Sequence, residues 1–214
     1  MKIAAAHKVS IMESYYLTEK LELFSDAEFT GFYRAPDQNF AELNQQELLQ
    51  VLEDNESKPL KDYREENFEL FPGELFFEKS FQQTEESIEF VKGFFKHFKN
   101  LDITHCQNIL ERLLDFIKTV GSHKKLNCRF EVLSGNSCEK FHVDEVDARL
   151  IYTCSGPGTQ LKLADDNTIK TLPTGSSIIL KGTQYPNFKL LSLHRSPPIE
   201  AIDVKRFLFI ADYV

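Results

Sequence analysis

Tryptophan is absent from the sequence, methionine occurs only twice, and none of the four cysteines belongs to a C-x-x-C pair. The scattered positions of Cys106, Cys128, Cys138 and Cys154 argue against a zinc ribbon, a thioredoxin-type motif or a secreted disulfide framework, and predict free thiols. Long apolar runs are missing as well. Nothing approaches the length of a bilayer-spanning helix, and the apolar stretch within Met1 to Lys8 is too short for the core of a signal peptide. A cytoplasmic protein with no membrane partner is therefore expected. Positive charge is in deficit: 25 Lys and Arg face 33 Asp and Glu, for a net charge of -8. Because the basic residues are interspersed with acids, the surface repels a phosphate backbone, and nucleic acid is disfavoured as a partner. The local basic run from Lys92 to Lys99 reads as a solvated helix face. No phosphate loop is present either. Gly156-Pro157-Gly158-Thr159 has no trailing Lys-Ser/Thr and lies between two β-like runs, so it reads as a tight turn.

What is present suits a packed core: 42% of the 214 residues are hydrophobic and 27% charged. From Ala41 to about Thr119 the apolar residues recur at helical spacing among Glu, Gln, Lys and Phe. One helix is expected after an N-cap at Asn44, leading into Leu48, Leu49 and Leu52. Another opens at Thr84-Glu85-Glu86-Ser87 and carries Ile88, Val91, Phe94, Phe95 and Phe98 on one face. A third carries Ile109, Leu110, Leu113, Leu114, Ile117 and Val120, and stops at Gly121. His97, His105 and His123 have no partner at metal-ligand spacing. Beyond Gly121 the pattern changes to short β-forming runs: Cys128 to Leu133, Ala148 to Cys154, Thr159 to Leu163, Ser176 to Leu180, Leu190 to His194 and Lys205 to Ala211. The expected fold is α+β: a mainly helical region over 1–125 packed on a β-rich region over 126–214, a jelly-roll or cupin-like barrel of the double-stranded β-helix type. The two regions are expected to form one integrated unit.

Chemistry concentrates in the β-rich region. In the extended segment Phe141-His142-Val143-Asp144, residues two apart point to the same side, so His142 and Asp144 can share an ion. His194 is the only later histidine and ends a predicted strand, which makes it the third ligand of choice. Two imidazoles and one carboxylate on one face of an octahedral ion leave the other face open, the arrangement of non-haem Fe(II) oxygenases. Such a centre suits a bidentate 2-oxo acid as its next ligand. Arg206 shares a face with Leu208 and Ile210 on the last apolar strand, and its planar fork matches the far carboxylate of 2-oxoglutarate better than lysine would. Arg149, on a strand face with Ile151 and Thr153, is a second candidate for that duty. The plainer alternative is a structural His–Asp hydrogen bond. Arg195 points opposite to His194 and reads as a surface or loop ion-pair residue.

Several of these pieces resemble a family of bacterial proteins known as domain of unknown function 1826. They are Phe141-His142-Val143-Asp144, Arg149-Leu150, Thr153, Gly156-Pro157-Gly158-Thr159, Lys181-Gly182, His194-Arg195-Ser196-Pro197-Pro198 and Arg206-Phe207-Leu208, spread over roughly Arg129 to Asp212. That resemblance implies kinship and no reaction. The order of the motifs is also similar to the Fe(II)/2-oxoglutarate-dependent oxygenase superfamily. This second resemblance implies His142, Asp144 and His194 as iron ligands and Arg206 as the anchor of 2-oxoglutarate. The β-rich segment is short for such a barrel, so a strand from the first half, Glu74 to Phe77, is expected to complete it. An oxygenase acting on a small molecule, protein or peptide is the leading expectation. The alternatives are a cupin-like module that binds zinc without turnover, and a zinc hydrolase using Glu139 or Glu145 as its base.

Overall fold

A computed structural model describes residues 17–25, 28–29, 31–42, 46, 70–71, 74–97, 103–121, 125–133, 138–164, 167–198 and 205–214. The described strands are β1 (Leu17–Thr18), β2 (Gly31–Arg34), β3 (Leu70–Phe71), β4 (Glu74–Phe81), β5 (Leu126–Leu133), β6 (Ala148–Ser155), β7 (Gln160–Leu163), β8 (Ile169–Thr171), β9 (Ser177–Lys181), β10 (Ser192–Arg195) and β11 (Arg206–Tyr213). Two described helices, α1 (Thr84–His97) and α2 (Ile103–Val120), fall between β4 and β5.

Eight strands form one sheet in the order β1-β2-β9-β6-β11-β5-β4-β3, and β10-β7-β8 form a smaller one. At the centre of the large sheet, β11 pairs antiparallel with β5 on one side and β6 on the other. Because side chains alternate along a strand, β11 serves two layers at once. Phe207, Phe209, Ala211 and Tyr213 join the cluster that contains Phe94, Ile109, Leu113 and Phe116 of the helices. Arg206, Leu208, Ile210 and Asp212 occupy the opposite face. On that face Ile151, Ile178 and Leu180 of the large sheet meet Leu161 of the small one, together with Leu172. The layers therefore run helices, large sheet, small sheet.

The helices form where spacing and caps predict. α1 has Glu85 and Glu86 in its first turn, which favours the positive end of the helix dipole. α2 stops at Gly121, whose φ of 94° needs a glycine and whose amide donates to Ile117 O at 2.9 Å. The expected helix after Asn44 lies outside the described residues apart from Gln46, as does Phe98. The expectation of a mainly helical first half is met only in part: α1 and α2 form, but β1 to β4 all belong to the large sheet. The expectation that Glu74 to Phe77 supplies a strand is met, since β4 pairs with β5 over its whole length. β8 had no signal in the sequence, and its three residues are all exposed. With no apolar face to bury, it is held by backbone pairing to β7. No helix among the described residues is long and apolar enough to cross a membrane.

Candidate metal centre

His142 lies outside any strand, yet its backbone bridges to that of His194 on β10. Each amide donates to the other's carbonyl at 3.0 Å, which sets the two rings 4.5 Å apart. Asp144 follows on the same extended segment. The donor atoms of His142, Asp144 and His194 lie within 4.8 Å of one another. His142 Nδ1 is 2.8 Å from Lys140 O. A carbonyl can only accept, so Nδ1 carries the proton and Nε2 keeps its lone pair. That Nε2 is 3.4 Å from Asp144 Oδ1, and His194 Nε2 is 3.1 Å from Asp144 Oδ2. Both imidazoles thus aim Nε2 at one carboxylate.

Charge and burial differ among the three. Burial works to raise the Asp144 pKa, but His142, His194 and Arg149 outweigh it and hold the carboxyl well below the ordinary carboxylate range. The Asp144 hydrogen bond pushes His142 upward against its partial burial. Burial pushes His194 downward despite Asp144, which keeps its ring neutral. Asp144 Oδ2 is buried and, among the described residues, has no hydrogen-bond partner, with the His194 nitrogen 3.1 Å away. A buried carboxylate oxygen without a donor is costly. With the two imidazole nitrogens beside it, neutral once His142 gives up its proton, it forms the donor set of a divalent transition-metal site, and such an ion would satisfy the oxygen. The residues fit the metal.

A turn after β9 holds the loop that carries Asp144. Thr183 N donates to Asp144 O at 2.9 Å, Gly182 N to Asp147 O at 2.8 Å and Gln184 N to Val146 O at 3.1 Å. The approach is so close that a Cβ on Gly182 would lie 2.0 Å from Val146 O and 2.9 Å from Asp144 O. Gly182 of the Lys181-Gly182 pair thus belongs to the scaffold of the centre.

Beside the histidines lies a pocket of about 60 Å³, lined by Arg129, Glu131, Arg149, Thr159, Arg206 and Leu208 among others. The two arginines singled out from the sequence differ sharply here. Arg149 Nη1 donates to Asp144 Oδ1, while its Nε and Nη2 donate to the two oxygens of Asp212 at 2.6 and 2.9 Å. Arg206 is only 1% exposed, and its side chain bonds to Pro157 O at 2.7 Å and Ser196 Oγ at 2.9 Å. It has no carboxylate at ion-pair distance among the described residues, and burial pushes its pKa down to about 10. Gly156, with φ 78°, permits the close packing, because a Cβ there would lie 3.0 Å from the Arg206 backbone. The GPG turn therefore seats Arg206, and Ser196 of the HRSPP segment orients it.

Arg195 lies at the pocket wall, where it stacks over Phe141 at 4.4 Å and bonds to Gln160 at 2.8 Å. Glu139 and Glu145 are both exposed and do not line the pocket. His105 is buried on α2, away from the centre, while His123 and the side chain of His97 lie outside the described residues. All four cysteines are free, with Cys138 exposed at the pocket rim. Sequence reading missed Arg129, Glu131, Asp212 and Ser196. Alternation carried a signal for the first three: Arg129 and Glu131 are two apart on β5, and Asp212 continues the Arg206 face of β11.

No curated protein matches the chain. Among solved structures, full-length Neurospora crassa T7H in complex with alpha-KG overlaps with a TM-score of 0.48 at 14% identity, over 90% of this chain and 76% of that one. A dioxygenase for auxin oxidation from rice overlaps with a TM-score of 0.49 at 12% identity, over 91% and 78%. A putative oxygenase from Shewanella oneidensis gives 0.48 at 14% identity, over 92% and 86%. Overlaps this loose bring over no residue's role. The sequence itself goes further: the family described as a protein of unknown function, DUF1826, matches residues 101–212, just over half of the chain and including the three metal-site residues and both arginines. The chain belongs to the DUF1826 family.

Proposed function

We propose that the protein is a non-haem Fe(II)- and 2-oxoglutarate-dependent oxygenase of small-molecule, protein or peptide substrates. The observation that carries this reading is a pairing of unmet needs in one pocket. Among the described residues, Asp144 Oδ2 is buried without a donor, and Arg206 is a buried guanidinium with no carboxylate at ion-pair distance. A metal alone answers the first. A metal chelated by a dicarboxylate answers both, because one end of the acid reaches the ion and the other pairs with Arg206.

His142, Asp144 and His194 would hold the ion, with Nε2 of each imidazole and Oδ2 of the aspartate as donors. A bound Fe(II) would supply activation of dioxygen, with the 2-oxo acid as the co-reductant consumed in each turnover. The protein's own contributions follow from the geometry. Lys140 O fixes the His142 tautomer by accepting its Nδ1 proton. Burial keeps His194 neutral and ready to ligate. Arg206, held by Pro157 O and Ser196 Oγ, presents its guanidinium already desolvated, so little reorganisation is needed when a carboxylate arrives. His142, with about a third of its side chain exposed, marks the side open to solvent and substrate.

The test is equilibrium binding of 2-oxoglutarate to protein loaded with Co(II) under anaerobic conditions. Arg206→Met is expected to weaken 2-oxoglutarate binding by about 100-fold, the loss of a desolvated charge pair, while Co(II) binds as before. Equal binding by wild type and Arg206→Met would overturn the cosubstrate role and leave a metal-binding module.

A further inference from the structure

We infer that Arg149 is a positioning residue that holds Asp144 as a one-oxygen metal ligand, and that Asp212 is the counter-charge which lets it do so. This inference rests on the metal reading above. It gives Arg149 a different duty from the cosubstrate pairing considered from the sequence.

The two oxygens of Asp144 are not equivalent. Oδ1 accepts from Arg149 Nη1, whereas Oδ2 is buried with no hydrogen-bond partner. A carboxylate held at one oxygen by a guanidinium cannot turn to offer both to an ion. Oδ2 becomes the ligand and Oδ1 the anchor. Arg149 has no freedom of its own, since Nε and Nη2 are tied to Asp212 Oδ1 and Oδ2 at 2.6 and 2.9 Å. Each of its side-chain nitrogens already donates to Asp144 or Asp212, which commits three of its five N–H donors to the scaffold.

A cation beside a divalent ion would repel it unless neutralised, and a row of alternating charges meets that requirement. Asp212 faces Arg149 directly across the β11–β6 register. Its Oδ2 also accepts from Arg129 Nη1 at 2.6 Å, and Arg129 Nε donates to Glu131 at 2.6 Å. Along Glu131, Arg129, Asp212, Arg149 and Asp144 the signs alternate across three neighbouring strands and the adjoining loop and sum to one negative charge, with a carboxylate at each end. Asp212 is 4% exposed and Glu131 7%, so solvent screens the row weakly. Lysine at position 149 could carry the charge but not the geometry, because one ammonium cannot bridge both carboxylates in a plane.

The experiment measures Co(II) affinity and the Co(II) visible spectrum, which reports ligand number and geometry, in the anaerobic full-length protein without cosubstrate. Arg149→Met, Arg149→Lys and Asp212→Asn are compared with wild type, with thermal melting of each metal-free variant as a folding check. Arg149→Met is expected to weaken Co(II) binding by about 10- to 100-fold, the usual range for losing a hydrogen-bond partner of a metal ligand, and to change the spectrum. Arg149→Lys should recover only part of the affinity and not the spectrum. Asp212→Asn, which keeps Arg149, should fall between; it carries the test alone if the Arg149 variants do not fold. Full recovery by lysine would reduce the role to charge and overturn the positioning. Unchanged affinity and spectrum in folded Arg149→Met would overturn it as well. Wild type that binds no Co(II) would instead overturn the metal reading, and this inference with it.

Discussion

The two faces of the central strands carry opposite kinds of side chain, aromatic toward the helices and charged toward the pocket. Toward the helices, Phe130 stacks on Phe94 at a centroid distance of 3.7 Å, with Phe207 and Phe209 close beside it. Toward the pocket, β5, β6 and β11 present Arg129, Glu131, Arg149, Arg206 and Asp212, of which Glu131, Arg206 and Asp212 are buried and the other two arginines half-buried. One face meets ordinary packing needs and stabilises the fold by removing apolar surface from solvent. The other collects charges that cost free energy to bury and would be poor choices for stability alone. Residues that weaken the fold yet occupy the centre of its main sheet are best explained by what they bind. A period of two along a strand is what lets stability and chemistry share a backbone without sharing side chains.

Substitutions can break that division, and the largest effect is expected on the helix side. Phe130→Ala should cost about 3–5 kcal/mol, read from the midpoint of urea unfolding, while the folded fraction keeps its Co(II) affinity. Loss of metal affinity in parallel would show that the two faces are not separable. Gly182→Ala comes next, because its Cβ would press on the backbone of Val146 and Asp144, where nothing flexible can yield. A cost of roughly 1–3 kcal/mol is expected, together with Co(II) binding at least about tenfold weaker. A smaller change of opposite sign is expected in the pocket: Arg206→Met should leave metal-free stability unchanged or raise it by about 1 kcal/mol. A fall of more than about 2 kcal/mol would mean that Arg206 serves the fold through Pro157 and Ser196.

Acid should sharpen the contrast by the smallest step. Asp144 raises the His142 pKa above its ordinary 6.5, so in metal-free protein its charged pairing stabilises the fold below that value and is lost as pH rises through the raised pKa. Metal needs the opposite state. Protons should therefore compete with Co(II) as pH falls through neutrality, weakening it by roughly tenfold per unit while one proton is displaced. Affinity flat from neutral pH to pH 5 would remove His142 from the ligand set.

Much of this was legible from sequence where local patterns coincide with tertiary roles. Val91, Phe94 and Phe95 on one helix and Ile109, Leu113 and Ile117 on the other became buried because a 3.6-residue period directs burial by itself, while Ile88, Leu110, Leu114 and Val120 at the edges of the stripes are half-buried. His142, Asp144 and His194 were legible because spacing two apart and a strand end suffice to aim them. The partner of Arg149 was not, since Asp212 lies across a strand pair whose register only the folded sheet defines. β1 and β2 were missed for a related reason: two to four residues of strand carry too little periodicity to read, and they hold their places through β9. The function of the GPG turn, read only as a turn, depended on a neighbour brought to it from β11.

The most direct test of the central claim is an anaerobic titration of the metal-free protein with Fe(II) and then 2-oxoglutarate, followed by visible absorption, in wild type, His194→Ala and Arg206→Met. Wild type is expected to develop the weak charge-transfer band of Fe(II) chelated by a 2-oxo acid. His194→Ala should show none, and Arg206→Met should show it only at far higher 2-oxoglutarate. Tight metal binding by wild type with no band at any 2-oxoglutarate concentration would contradict the oxygenase account.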